Sequence, residues 1–377
     1  MTLSKTSIPF CSLKFIDKLP RLGEIEDRLK ETLREIRNRK LITAGNDDRG
    51  DDPALWYQLI NDDDREMTKR RAVRFLERVQ SLSGMNHLPD PAKTQLNALR
   101  DGVSVTHIHT EHKADEIAAA LHAEMPWMAP ATEEVWHGLR RSAREGLPGL
   151  RFNPLVLVGS PGIGKSFWAR RLAHHLAVPT TKIEATGEPG TFSLVGTQRG
   201  WSSAAPGKLM QTILRERHAA PLVIVDEIEK TGDVNADNGT RHTLTDALLP
   251  LLERMTAASW ECPFYQIRFD MSWANWVLTA NSRKGLPEPL QSRCVVLDLP
   301  DLTRTQLRNF TLTEGERRGL PEPSLSALGE VFDHEIWSEH SLNLRTVSRM
   351  LDRAEELVSK PVLQLSLIHI SEPTRPY

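Results

Sequence analysis

The stretch LVLVGSPGIGKSFWARRLA, residues 155–173, decides how the rest of the chain is read. Its first four residues, Leu155 to Val158, have the character of a strand buried on both faces. They run into Gly159-Ser160-Pro161-Gly162-Ile163-Gly164-Lys165-Ser166, which fits the pattern G-x-x-x-x-G-K-[ST]. From Phe167 to Leu176, Ala and Leu then gather on one side at helical spacing. Glycines let the backbone turn until several N–H groups face one concavity. The start of the following helix adds partial positive charge, and phosphate oxygens collect there. Lys165 is placed to reach the β- and γ-phosphates of ATP, and the Ser166 hydroxyl to ligate Mg²⁺. A plain glycine turn between strand and helix is the alternative, and it would leave Lys165 and Ser166 to chance. Residues 159–167 are therefore expected to bind nucleotide phosphates.

The chain has 377 residues, enough for two or three domains with cores of their own. Its formal charge of −2 gives no global basic field, so nucleic acid is not an expected partner. Cys11, Cys262 and Cys294 are scattered and form no C-x-x-C pair, which suits a reducing compartment. No apolar run approaches the ~20 residues that span a bilayer. The opening MTLSKTSIPFCSLKF lacks the apolar core of a secretion signal. A cytoplasmic protein with no membrane partner is expected.

Residues 1–113 read as a mostly helical N-terminal region. Leu22, Ile25, Leu29, Leu33 and Ile36 recur at helical spacing amid charged residues. ITAGNDDRGDDPALW breaks that helix, and Glu66 to Ser83 reads as a second one with Met67, Val73, Leu76 and Val79 inward. Two more helices flank EMPWMAPATEE between Ala114 and Arg144. From the strand at Leu155 to about residue 300 strands alternate with helices, which implies an α/β parallel sheet, and 114–301 is expected to be a nucleotide-binding domain. Helices resume over 302–362. No internal repeat is visible. The last twelve residues, SLIHISEPTRPY, fit neither pattern and resemble a translated sequencing-adapter tail; 363–377 are expected to be non-native or disordered.

Two further strand ends carry chemistry. PLVIVDEIEK, 221–230, is a buried strand ending in Asp226-Glu227, and two carboxylates there are costly unless they meet a cation. Asp226 is expected to hold Mg²⁺, and Glu227 to orient and activate a water. The strand that ends in Thr279-Ala280-Asn281 offers an amide to the γ-phosphate or the water. Arg293, in PLQSRC just before Val295-Val296-Leu297, can serve as a finger on a neighbour's ATP.

Strand and P-loop, VDE, TAN and SRC in this order resemble the AAA+ ATPases, and within them the ATPase module of the Lon proteases. That module has a glycine, a basic stretch, an aromatic and then A-x-P-G-[KR]; this chain has GTQRGWSSAAPGKLMQ at 196–211. The module has F-D-[LM]-S before its TAN strand; this chain has FDMSWANWVLTAN. The resemblance covers roughly residues 120–360 and implies an ATP hydrolase that needs Mg²⁺. It implies a five-stranded parallel sheet followed by a small helical lid, a homo-oligomeric, hexameric ring and a protein substrate. It makes Arg345, in LNLRTVSRML, a second nucleotide sensor beside Asn281, and makes Trp201 the pore aromatic that grips polypeptide. The family has an aromatic, a β-branched residue and a glycine at the pore, where this chain has Trp201-Ser202-Ser203. The family's Ser-Lys protease domain would follow the lid and has no counterpart here, so a stand-alone motor is expected, with the ATPase half of a truncated Lon-like protease as the alternative.

Weaker signals point to other classes. His107, His109 and His112 in THIHTEH could hold Zn²⁺ but read better as a polar linker. Lys69, Arg70, Arg71, Arg74 and Arg78 make one helix locally basic, as an ATP-dependent nucleic-acid loader would need. Asp62, Asp63, Asp64, Glu66 and Glu77 offset them, and a solvated face is the better reading.

Overall fold

The computed structural model describes residues 3–16, 20–43, 59–185, 190–200, 204–230, 243–332 and 343–359. The 363–377 tail, Trp201, Ser202 and Ser203 lie outside them. Two compact units make up the chain: Met1–Phe10 with Asp101–Tyr377, and Cys11–Arg100.

Among the described residues of the first unit there are nine strands: β1 (Ser4–Ile8), β2 (Val103–His107), β3 (Leu155–Val158), β4 (Thr180–Glu184), β5 (Leu222–Asp226), β6 (Trp260–Glu261), β7 (Arg268–Phe269), β8 (Asn275–Ala280) and β9 (Val295–Asp298). Five of them form a parallel sheet in the order β4-β5-β8-β3-β9. The order explains the sequence pattern. β5, β8 and β3 are central, so both faces are covered and their apolar runs are buried almost without interruption. β4 lies at one edge and alternates, with Thr181 and Ile183 in and Thr180, Lys182 and Glu184 out. As expected, the α/β part of the chain is a parallel sheet with intervening helices.

The first unit contains strands where the sequence reading expected only helices. β1 and β2 pair antiparallel, Ser4 opposite His107 and Ile8 opposite Val103. A β-bridge joins Ser104 to His218, ahead of β5. His218 accepts from Ala220 N–H at 3.2 Å through Nδ1, which leaves Nε2 to donate to Thr106 Oγ1 at 3.0 Å. Burial, with Lys5 adding to it, pushes that imidazole down to about 4, so it stays neutral. Five-residue strands whose partners lie about a hundred residues away leave little periodicity to read, and the pairing is supplied by the tertiary fold.

Helices Glu111–Glu124 and Ala129–Arg144 flank the EMPWM segment as expected. Arg144 and Arg140 clasp Glu111 between them and hold its carboxyl down to about 2. His107 and His109 stack edge to face at 4.2 Å, and His109 Nε2 meets Ser4 Oγ at 2.5 Å. His112 pairs with Glu116. Among the described residues no group of three metal-ligating side chains converges.

After β9 come helices Arg304–Arg317, Glu322–Val331 and Leu344–Ser359. Their apolar faces, including Leu307, Leu328, Val347 and Leu351, continue the core that holds Leu155 and Leu157 of β3. A helical lid thus follows the sheet domain.

In the Cys11–Arg100 unit, helix Leu22–Thr43 packs against helix Asp62–Leu82. The second helix begins four residues earlier than the apolar pattern indicates, because Asn61 and Asp64 form a reciprocal cap, with N–H to O distances of 2.8 and 3.0 Å. Asp64, Thr68 and Ala72 face inward, and Arg37 binds Asp64 at 2.8 Å. Val73, expected to face inward, is exposed. The inward stripe thus runs through Asp64, whose buried carboxylate is met by the partly exposed Arg37, and lies one residue off the apolar one.

Candidate functional site

The strand order brings three loops to one edge of the sheet. β8 lies between β5 and β3, so Asn281 falls between the Asp226-Glu227 corner and the glycine-rich loop. Parallel strands all end at that edge, where ligands of open α/β sheets bind.

The loop after β3 has the backbone that its glycines allow. Gly162 and Gly164 have φ of +87° and +95°, a region that L side chains rarely adopt. Space is denied as well. A Cβ on Gly162 would meet Asn343 at 2.8 Å, and one on Gly164 would meet Leu344 at 2.7 Å and Met125 at 2.9 Å. The loop is therefore clasped by the lid and by the segment before Pro126. Leu344 N–H donates to Gly162 O at 3.0 Å, and Trp127 Nε1 donates to Ile163 O at 2.9 Å. Ile163 is buried there, and its side chain supports the loop.

Helix Lys165–His175 starts at this loop. Lys165 is 7% exposed and donates to Gly159 O at 2.6 Å, Ser160 O at 3.0 Å and Asn281 Oδ1 at 3.2 Å. Burial lowers its pKa, against the pull of Glu229, Asp226, Glu227 and Asp301. Ser166 Oγ donates to Asp226 Oδ1 at 2.6 Å, and Thr279 Oγ1 donates to the same oxygen at 3.1 Å. Glu227 has φ +58°, an uncommon conformation for a residue with a side chain. Its N–H donates to Thr279 Oγ1 at 3.2 Å, and Lys230 Nζ donates to its Oε2 at 2.7 Å. Lys230 first, and Asn281 also, hold the Glu227 carboxyl below the ordinary range.

A cavity of about 520 Å³ opens over these groups. Of the residues singled out in the sequence, Pro161, Gly162, Gly164, Lys165, Ser166, Phe167, Asp226, Glu227, Asn281 and Arg345 line it. Arg345 comes from the lid. Asn343 Oδ1 accepts from the N–H groups of Arg345 and Thr346, both at 3.0 Å, which fixes the first turn of that helix on the loop. Arg293 is not in the lining. It precedes β9, so it lies at the start of the strands, roughly 13 Å of strand from the edge that carries the cavity. Its Nη1 donates to Pro289 O at 3.1 Å, and its Nε lies 3.9 Å from Glu253.

Several side chains in the site were not foreseen. Lys182 of β4 sits 3.2 Å from Asp226 Oδ2 and 2.9 Å from Glu184; a lysine on an alternating edge strand reads as solvated. Glu229 accepts from the N–H and Nδ2 of Asn281 at 3.1 and 2.9 Å and so orients the amide. The third acidic residue of DEIE was its only signal. Arg318, held by Glu314 and Asp352, lines the cavity from the lid. The hard oxygen donors of Ser166 and Asp226 suit Mg²⁺, which takes one or two carboxylates and completes its shell with water and substrate phosphate.

Residues 155–299 match the family model for the ATPase family associated with various cellular activities (AAA). The chain is 27% identical over 320 residues to a protein from Spinacia oleracea called Lon protease homolog 2, peroxisomal, across 78% of this chain and 33% of that protein. It is 28% identical over 285 residues to a Lon protease of Chloroflexus aggregans, across 74% of this chain and 33% of that protein. For a Lon protease of Nitratidesulfovibrio vulgaris the identity is 24% over 294 residues, 76% of this chain and 35% of that protein. The chain thus spans about a third of the length of these curated relatives. Residues 155–299 thus form a module similar to the AAA ATPases, and the chain is related to the Lon proteases over about three quarters of its length. No described helix is long and apolar enough to cross a membrane.

Proposed function

We propose that this chain is the ATP-driven motor of a hexameric homo-oligomeric ring that remodels or threads protein substrates in the cytoplasm. The observation that carries the reading is the convergence of Lys165, Ser166, Asp226, Glu227 and Asn281 on one cavity at the strand ends. The loop N–H groups and the Lys165 ammonium hold the β- and γ-phosphates. Ser166 and Asp226 would hold Mg²⁺, which would supply positive charge to the phosphate oxygens. Glu227 takes a proton from the attacking water, and Asn281, oriented by Glu229, positions that water against the γ-phosphate. Arg345, on a lid helix docked to the loop, reports the state of the nucleotide to the lid. Lys165→Ala tests the site directly. The variant is expected to lose at least tenfold in ATP affinity, read with a fluorescent ATP analogue; unchanged binding would remove Lys165 from the phosphate site.

Gripping of substrate falls to Trp201. Its own position lies outside the described residues, but its flanks are tied together. Thr197 N–H donates to Ala205 O at 3.0 Å, and Gly196 bridges Pro206. Gly207 is required at the base, since a Cβ there would collide with Leu194 O. An aromatic between such flanks can hold backbone of any sequence through apolar contact. Trp201→Ala is expected to leave basal ATPase intact and to abolish its stimulation by an unfolded protein such as reduced casein. Equal stimulation of the two proteins would make Trp201 a packing residue.

The share of its relatives' length that the chain spans favours a second reading, in which the same motor is part of a longer Lon-like protease. Sequencing the gene beyond codon 377 separates the two.

A further inference from the structure

We propose that the groove between helices Leu22–Thr43 and Asp62–Leu82 is a docking site for an acidic amphipathic segment of a partner protein. The proposal stands on the Cys11–Arg100 unit alone and is independent of the ATPase reading. A cavity of about 670 Å³ runs between the two helices. Its floor is apolar, made by Ile25 and Leu29 of one helix and Phe75 of the other. Phe75 is 50% exposed, so its ring is open to a partner from the solvent side. Around this floor stand Arg28, Arg71, Arg74 and Arg78, with Glu24 the one carboxylate of the lining.

Helical spacing builds the arrangement. Ile25, Arg28 and Leu29 fall at i, i+3 and i+4 on the first helix, and Arg71, Arg74, Phe75 and Arg78 at i, i+3, i+4 and i+7 on the second. Each stripe alternates apolar body with cationic head, and the two stripes face one another. The pairing of charges on the second helix is uneven. Arg65 and Arg70, outside the groove, are paired with Asp62 and Glu66. The four groove arginines make no ion pair among the described residues. Guanidinium groups without an ion pair among the described residues, beside an apolar trough, match carboxylates that flank an apolar stripe, and the arginine stems add apolar contact beneath their heads. That is the helix-in-groove mode of recognition.

Nucleic acid fits less well. The cavity has room for a few side chains rather than a duplex, and its floor offers apolar contact where a phosphate backbone needs charge. Asp62, Asp63, Glu66 and Glu77 on the same helix repel a polyanion that spreads beyond the groove.

The test measures fluorescence anisotropy of the full chain with a labelled 14-residue helical peptide that carries Leu at i, i+3, i+4 and i+7 and Glu between. Controls are the same peptide with Lys for Glu and a labelled 20-nucleotide single strand. The acidic peptide is expected to bind, more weakly as salt rises, and the Lys peptide to bind at least tenfold less tightly. Arg74→Glu with Arg78→Glu should weaken the acidic peptide at least tenfold, and Phe75→Ser should weaken it separately. All three positions are on the surface, so helix content by circular dichroism and basal ATPase should be unchanged. Equal binding of the two peptides, or equal binding by wild type and the charge-reversed protein, overturns the proposal. So does an oligonucleotide that binds through the same arginines while the peptide does not, or a charge reversal that alters only self-association, which would assign the groove to a second copy of the chain.

Discussion

Glu227→Gln is expected to bind ATP as wild type does and to hydrolyse it about 10²- to 10⁴-fold more slowly, the usual worth of a positioned general base. The amide matches the carboxylate in shape, so the hydrogen bond from the residue's N–H to Thr279 and the φ of +58° are retained. What is lost is the ability to take a proton from water. The sign of the pH dependence follows from Lys230. Its ammonium, 2.7 Å from Oε2, favours the ionised carboxyl and lowers its pKa. The acidic limb of the rate profile should therefore lie below the ordinary Glu range near 4.3. Activity should hold steady from neutral pH down to that range and fall only beneath it. Lys230→Met removes the ammonium and should move the limb upward. Steady-state ATPase between pH 3.5 and 8, with nucleotide affinity measured separately, reads both effects. A Glu227→Gln protein that turns over near the wild-type rate would show that another group takes the proton.

Arg293→Ala is expected to bind ATP almost normally and to lose about 10³-fold in turnover. Arg293 stands at the opposite end of β9 from the nucleotide cavity and takes no part in its lining. Among the described residues its guanidinium meets Pro289 O, Ser292 and, at 3.9 Å, Glu253, and it is partly exposed at the surface. An arginine so placed stabilises charge on a transferring phosphoryl group only if a neighbouring subunit presents its own cavity. Activity per subunit should accordingly rise with protein concentration. Mixing Arg293→Ala with Glu227→Gln should restore part of the activity, because some interfaces then join an intact Glu227 to an intact Arg293. A wild-type monomer with full, concentration-independent activity would refute the trans arrangement and the ring with it.

Much of the site was legible because its chemistry is local. Gly159 to Ser166, Asp226-Glu227 and Thr279-Ala280-Asn281 are each contiguous, and each sits at the end of an apolar run whose length and burial are readable. Lys182, Glu229 and Arg318 were not, since each is one charged residue in an ordinary polar setting and gains its meaning from a neighbour far away in the chain. The inward face of helix Asp62–Leu82 was misread at Val73 for a related reason: periodicity finds apolar stripes, and that helix buries Asp64 with Arg37.

From the residues alone came the parallel α/β sheet, the glycine-rich loop, the acidic strand end and the lid helices, because backbone propensity, alternation and glycine conformation act over a few residues. The antiparallel pair β1–β2, the clasp of Asn343 and Leu344 on the glycine loop, and the placing of Arg345 over the cavity and Arg293 away from it were decided by the tertiary structure alone. Those contacts join segments separated by roughly a hundred residues or more. Their free energy comes from packing and hydrogen bonds made only once the sheet order exists, and no local pattern encodes them.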